Sequence, residues 1–550
     1  MNTLKTQAVR WLVVCGMSLL LPMNLHAWEP GAKDLDAAIS AGDFAGYYSN
    51  ISAWLSQKVP ADPGKISDAT AKALLKDPVF ANTLDQRQLI SKLGVDKLGA
   101  FAKADPANRE FLAGLLKNTQ VMDMFLEAAG PTPIADREKN SYTVPVETLD
   151  AWRKILNTDP DSKSGIYQKL AIATAIAAPH IRPSEPMGRY NLYKSAHKNK
   201  ELFPSFDNLT VWEYTKVVSV QASDRDITWA REMINTWRPD LRIKEQVVES
   251  TREVWRRNSP HPYTDMPSVL EGGGKCGPRS RWAVFVCQAF GIPAIGVGQP
   301  SHACVAAKSA YPEMQPQPGS AWKVHQGGGW QVSKLDGTTG PLFLEAVEER
   351  SHAAEFSQIE HLRWLASALA SKAQADAVMS VAAKLRPQAA PQQAAAKTTP
   401  PAESKAAPEP ATLPEAPLAV APGVLHVEAE AFSKMSGIFV YDCFTGGKQV
   451  NFQKNMEESW LDYTVDVPAT GTYAVEMRVA AANVGQVLDI SSGANKLATI
   501  NIPNTTGLWT TTQAVNMKLD KGAQTLRISA PFQRGVALRW LELKSKATNQ

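Results

Sequence analysis

The residues best equipped for chemistry lie in Glu271-Gly272-Gly273-Gly274-Lys275-Cys276-Gly277-Pro278-Arg279-Ser280-Arg281-Trp282. Glycines carry the backbone up to Cys276, and Pro278 stands where a helix takes its first residue. Trp282, Val286, Ala289 and Phe290 continue the helical period, and Gly291 ends it before Ile292-Pro293. Cys276 is thus expected just ahead of a helix N-terminus, where free N–H groups and the positive end of the dipole favour a thiolate. A thiolate nucleophile needs a base. His302, in Gln299-Pro300-Ser301-His302-Ala303-Cys304-Val305, reads as part of a strand entered from a turn. A neutral imidazole there can take the thiol proton and return it to a leaving group. Asp336, closing Trp330-Gln331-Val332-Ser333-Lys334-Leu335-Asp336, is the candidate to orient that imidazole, with His325 in reserve. The chemistry would be acyl transfer through a thioester. Spacing alone makes the Cys–His pair weakly specific.

Other uses of the cysteines stay open. On one continuous helix Cys276 and Cys287 stand about 16 Å apart along the axis, too far to bond. A Cys287–Cys304 bridge between helix and strand is sterically conceivable. Zinc ligation by the cysteines with His302 lacks the close paired spacing of structural sites.

The elements that must position these residues belong to a long chain. With 550 residues, about two to four domains are expected. Lys+Arg 58 against Asp+Glu 54 leaves a net charge of +4, which argues against a nucleic-acid binder held by bulk charge. Five Cys in the whole chain exclude a disulfide-dense scaffold. Residues 1–27 read as a signal peptide: Lys5 and Arg10 precede the apolar run Trp11 to Pro22, and Leu25-His26-Ala27 forms a cleavage site. The run is too short to span a bilayer, so no transmembrane segment is expected. Localisation follows as exported: periplasmic, cell-surface or extracellular.

Residues 28–249 carry helical periodicity, as in Val79 to Ile90, Arg109 to Ala129, Tyr167 to Ala178 and Asp226 to Trp237. Asp105-Pro106 makes a helix entry. Residues 250–386 form the cysteine domain with a trailing helix. From 387 to 422, 9 of 36 residues are Pro and 12 are Ala, too little apolar surface to fold, and this is a linker. Residues 423–550 alternate on a period of two, as in Tyr473-Ala474-Val475-Glu476-Met477-Arg478-Val479, with turn clusters such as Pro468-Ala469-Thr470-Gly471 between runs. That pattern predicts an antiparallel β-sandwich.

Two resemblances sharpen this reading. The order Cys276, Gly291-Ile292-Pro293-Ala294, His302-Ala303 and a Gly-Trp strand closing on Asp336 resembles the transglutaminase-like cysteine fold of the papain-like superfamily, over about residues 250–345. The resemblance implies an α+β domain with Cys276 as nucleophile, His302 as base and Asp336 as orienting acid. This chain departs from the family in having Cys304 and Ala306 after His-Ala where the family has Trp and an acid. It also has Lys334 where the acid usually falls, and Asp336 stands two residues beyond.

The tail resembles a family 6 carbohydrate-binding module from Leu425 to Leu543. Glu428-Ala429-Glu430, Trp460-Leu461-Asp462-Tyr463, Gly471-Thr472-Tyr473, Arg478-Val479-Ala480, Thr506-Gly507-Leu508-Trp509 and Leu538-Arg539-Trp540 fall in order. The resemblance implies a jelly-roll sandwich that stacks sugars on aromatic faces at one end, Trp509 and Phe452 matching the stacking pair. Arg539 stands where the family commonly has Asn; arginine only donates hydrogen bonds, so sugar choice would differ or favour an acidic glycan. Glu428 and Glu430 match an acid that helps hold a structural calcium, though two solvated carboxylates explain them as well, while Trp460, Tyr463, Tyr473 and Trp540 read as core.

The expectation is a multidomain protein: an α-helical N-terminal region, an α+β transglutaminase-like domain and a C-terminal β-sandwich (jelly roll). It binds a polysaccharide or glycoconjugate and acts on a peptide or amide, with no nucleic-acid partner and no cofactor for catalysis. A non-catalytic carbohydrate-binding protein with an inert cysteine scaffold is the alternative. A glycosidase ranks last, because no carboxylate pair is nominated.

Overall fold

The computed structural model describes residues 28–130, 144–181, 183–254, 263–308, 322–325, 334–335, 340–386, 424–452, 459–482, 485–531 and 535–546. Asp336 and the segment 387–422 therefore lie outside the described residues, as do residues 1–27, the expected signal peptide.

The N-terminal part is helical, and local chemistry sets its boundaries. Asp105 caps the helix Pro106–Leu116 by accepting from the Ala107 amide, with Pro106 supplying a preset φ. Thr210 and Glu213 form a reciprocal capping box on the helix Val211–Val218. The long period from Arg109 to Ala129 is divided in two. The first helix stops at Leu116, and Asn118 caps the second, Thr119–Ala128, by accepting from the Val121 amide.

One large core joins these helices through Trp54, Phe80, Trp152, Tyr190 and Tyr193. It also takes in Leu362, Leu365, Val378 and Val381 from the helices Ala353–Ala368 and Lys372–Leu385. The trailing part of the cysteine domain thus packs on the N-terminal helices. Fully burying side chains of this size stabilises by roughly 1.5–3 kcal/mol each.

A second core surrounds the helix Cys276–Ala289, packing Trp282, Phe285 and Val286 against Trp229 and Trp237 of the helix Asp224–Trp237. Beside it lies a small antiparallel sheet. Its strands are β1 (Ala294–Gln299), β2 (His302–Lys308), β3 (Trp322–His325) and β4 (Lys334–Leu335), in the order β3-β2-β1-β4.

The C-terminal part is an antiparallel sandwich. One sheet runs Thr510–Thr511, Gly471–Ala481, Val536–Ser545, Lys448–Phe452, Ile438–Asp442, with Val424–Glu428 also paired to Val536–Ser545 and Val515–Leu519 to Gly471–Ala481. The other runs Asn495–Ile502, Gln486–Ser492, Gly522–Ala530, Ser459–Val467, Lys434–Ser436. Inward residues of both, among them Tyr463, Met477, Leu488 and Leu541, make the third core.

Candidate functional site

Lys275 is the N-cap of the helix Cys276–Ala289, so Cys276 occupies its first turn rather than the position before it. Pro278 falls at the third residue, where its missing N–H is one of the donors a helix start leaves unused anyway. The helix ends at Gly291, whose φ of +81° suits a residue without a side chain. Directly after it, Ala294 opens β1, and the reversal at Ser301 returns the chain as β2 from His302. The hydroxyl of Ser280 donates to the Cys304 carbonyl and ties helix to strand. This brings Cys276 and His302 to the same cavity, of about 560 Å³, with Arg252, Lys275, Arg279 and His325 on its walls. Its described lining carries three cationic side chains and no carboxylate.

Cys276 is a partly accessible free thiol, whereas Cys287, Cys304 and Cys443 are buried and also free. No Cys287–Cys304 bridge forms. Cys287 lies between Val248, Ala283 and Ala294, while Cys304 packs with Trp212 and Trp322. Burial pushes the Cys304 thiol up to about 11, and Cys276 nearby adds to the shift. Burial likewise raises the Cys287 thiol, so both stay protonated and inert. His325 sits on β3 opposite Val305 of β2. Burial, and then Lys323, lower it to about 4, keeping its imidazole neutral. The strand leading to Asp336 pairs with β1 through Lys334↔Gly298 and Leu335↔Val297, so β1 separates it from His302 on β2.

In the sandwich, Phe452 is 0% exposed and packs in the inter-sheet core, where it offers no face to a sugar. Its alternating strand hid this, because sequence does not tell the inward face of an end residue from a rim position. Trp509 is half-buried, and its buried Nε1 makes no hydrogen bond. Arg539 donates to the Lys448 carbonyl, 2.7 Å away. Of the aromatics read as core, Tyr463 and Tyr473 are buried. Trp460 and Trp540 are half-exposed instead, Trp460 beneath Arg527 at 3.7 Å and Trp540 against His426. Glu428 lies 3.2 Å from His426 Nε2, and Glu430 keeps a buried oxygen, Oε2, without a hydrogen bond.

One feature had no sequence signal. The sandwich is seated on the helix Asp224–Trp237 by two of its loops and by the strand Lys448–Phe452. Trp229 Nε1 donates to Thr506 O at 3.1 Å, and Trp237 Nε1 to Gly535 O at 2.8 Å. In return Gln449 donates to Thr236 O and Asn451 to Trp237 O, both at 2.8 Å. Gly507 permits the approach: its φ is +77°, and a Cβ there would stand 2.3 Å from Met233 Cγ.

Residues 428–545 match the family model of the carbohydrate binding module, family 6. The C-terminal part of this chain is therefore a family 6 carbohydrate-binding module, carried behind a mostly helical N-terminal region. A 107-residue stretch is 33% identical to the clotting factor G alpha subunit of Tachypleus tridentatus, covering 18% of this chain and 16% of that subunit. Among solved structures, the C-terminal family 6 module of a marine laminarinase from Zobellia galactanivorans is 25% identical. It matches 22% of this chain and 99% of that one, with a TM-score of 0.21. A module of a Cellvibrio mixtus lichenase, solved with cellotriose, is 32% identical over 22% of this chain and 96% of that one, with a TM-score of 0.20. Among the described residues no helix is long and apolar enough to cross a membrane.

Proposed function

We propose that the chain is an exported glycan-binding protein that also carries a cysteine acyl-transfer site of transglutaminase-like type. The family 6 match over residues 428–545 carries the first half of this reading. β-Glucans are the first ligands to try, since relatives of the module include one from a laminarinase and one solved with cellotriose. Trp509 is the stacking residue, and Arg539 a hydrogen-bond donor to a sugar hydroxyl or carboxylate. Glu430 offers an unpartnered buried oxygen suited to a calcium ion. Glu428, turned to His426, fits that ion less well. Affinity electrophoresis in laminarin or carboxymethylcellulose gels tests the binding. Retardation that Trp509→Ala abolishes is expected, and unretarded wild-type protein on a panel of polysaccharides overturns it.

The partly accessible Cys276 in the first turn of a helix, sharing a cavity with His302, carries the second half. The Cys276 thiolate would attack an amide carbonyl carbon, and backbone N–H groups at the helix start would hold the oxyanion. As the C–N bond breaks, the amine leaves with a proton from His302. Water or a second amine then resolves the thioester. The cationic walls favour an acyl donor bearing a carboxylate.

The test is the pH dependence of Cys276 alkylation, read by peptide mass spectrometry. Fast labelling well below about pH 8, altered in His302→Ala, is expected. Labelling like an ordinary thiol, indifferent to His302, would leave a carbohydrate-binding protein on an inert scaffold.

A further inference from the structure

We propose that Asp85, Asp123 and His361 form a divalent-cation site of zinc type inside the helical region. The three residues come from the helices Pro78–Leu93, Thr119–Ala128 and Ala353–Ala368, and each offers one ligand atom, all within 4.8 Å of one another. His361 Nε2 stands 3.0 Å from Asp85 Oδ1 and 3.3 Å from Asp123 Oδ1. Ligand atoms about 2.0–2.1 Å from a tetrahedral zinc stand roughly 3.3 Å apart, so these separations leave room for an ion between them.

The hydrogen bonding points the same way. Asp85 is 0% exposed, and among the described residues its carboxylate oxygens and the buried Oδ1 of Asp123 meet no partner other than the His361 imidazole, which pairs with them only while its Nε2 carries a proton. Buried carboxylate oxygens are expensive to leave unsatisfied, and a coordinated cation satisfies them. His361 Nδ1 lies 2.7 Å from the Ser357 carbonyl, one turn earlier in the same helix. A carbonyl only accepts, so Nδ1 carries the hydrogen, and the ring is held with Nε2 towards the carboxylates. This is how an outer carbonyl orients a metal-bound imidazole. Two carboxylates and one imidazole suit zinc or manganese better than a soft-metal site. The side chain of Asp123 is 35% exposed, which leaves a path for the ion and room for a water as further ligand. An ion here would join the helix Ala353–Ala368 to two helices near the chain's start.

The experiment uses the full chain with Cys276→Ser, so that no thiolate in the cysteine cavity contributes. After chelator treatment and dialysis, zinc is titrated calorimetrically and the bound metal counted by mass spectrometry. One equivalent per chain is expected, with a rise in Tm on zinc addition. His361→Gln and Asp85→Asn should lose that equivalent while circular dichroism stays helical. Should either variant fail to fold, the unsubstituted His361 is read directly. Zinc must then slow its modification by diethylpyrocarbonate at least tenfold. Absence of a tight equivalent, an equivalent that survives both variants, or unprotected His361 overturns the site and leaves a buried hydrogen-bonded triad.

Discussion

At the scale of single residues, the cavity around Cys276 holds two imidazoles with different surroundings. His325 has a folded-state value of about 4, below the ordinary 6.5, because burial and then Lys323 oppose its charge. The unfolded chain therefore binds the proton first as pH falls. Stability from this group is complete above about pH 6.5 and is lost progressively down to about pH 4. Urea midpoints near pH 7 and pH 5 should differ by less in His325→Leu than in wild type, and an equal difference in both would remove His325 as the cause. The places of Cys276 at a helix start and of His302 just after a turn were legible in sequence because both follow from local punctuation. Phe452 was not, since its burial depends on the opposite sheet. Asp336 lies outside the described residues, and the strand Lys334–Leu335 before it pairs with β1. His325, the reserve candidate, is the polar group that β3 brings to the cavity.

At the scale of elements, caps decide what periodicity cannot. A continuous apolar period from Arg109 to Ala129 becomes two helices because the Asn118 side chain takes an amide hydrogen bond that an unbroken helix would not need. Buried charge shapes the segment between the helices Val211–Val218 and Asp224–Trp237. Arg189, itself fully buried, donates Nε to Asp224, Nη1 to the Val218 and Val220 carbonyls, and Nη2 to the Ala222 carbonyl and Ser184. All five of its N–H groups are used, so lysine could not substitute for it. Tyr190 and Tyr193 do pack, but the arginine beside them holds the turn that aims the helix Asp224–Trp237.

At the scale of the whole molecule, composition separated the sandwich from the rest, yet the two meet through the Trp229, Trp237, Gln449 and Asn451 hydrogen bonds. Such contacts join surfaces far apart in sequence, so no local pattern announces them. With each bond worth about 1 kcal/mol net, four of them and the packing of Gly507 on Met233 should hold the parts together without a covalent link. A protease site engineered between residues 387 and 422 tests this. The two cut fragments should co-elute in gel filtration, and Gly507→Val, which wedges a side chain against Met233, should separate them. Wild-type fragments that part on cutting would refute a stable seat.

The seat has an optical consequence. Two of the chain's 15 tryptophans lend their indole N–H groups to it, held out of water by the sandwich. Lifting the sandwich away would wet both indoles and shift the emission of the protein to the red. The chain thereby carries an intrinsic fluorescent reporter of whether its last domain is in place, readable without any label.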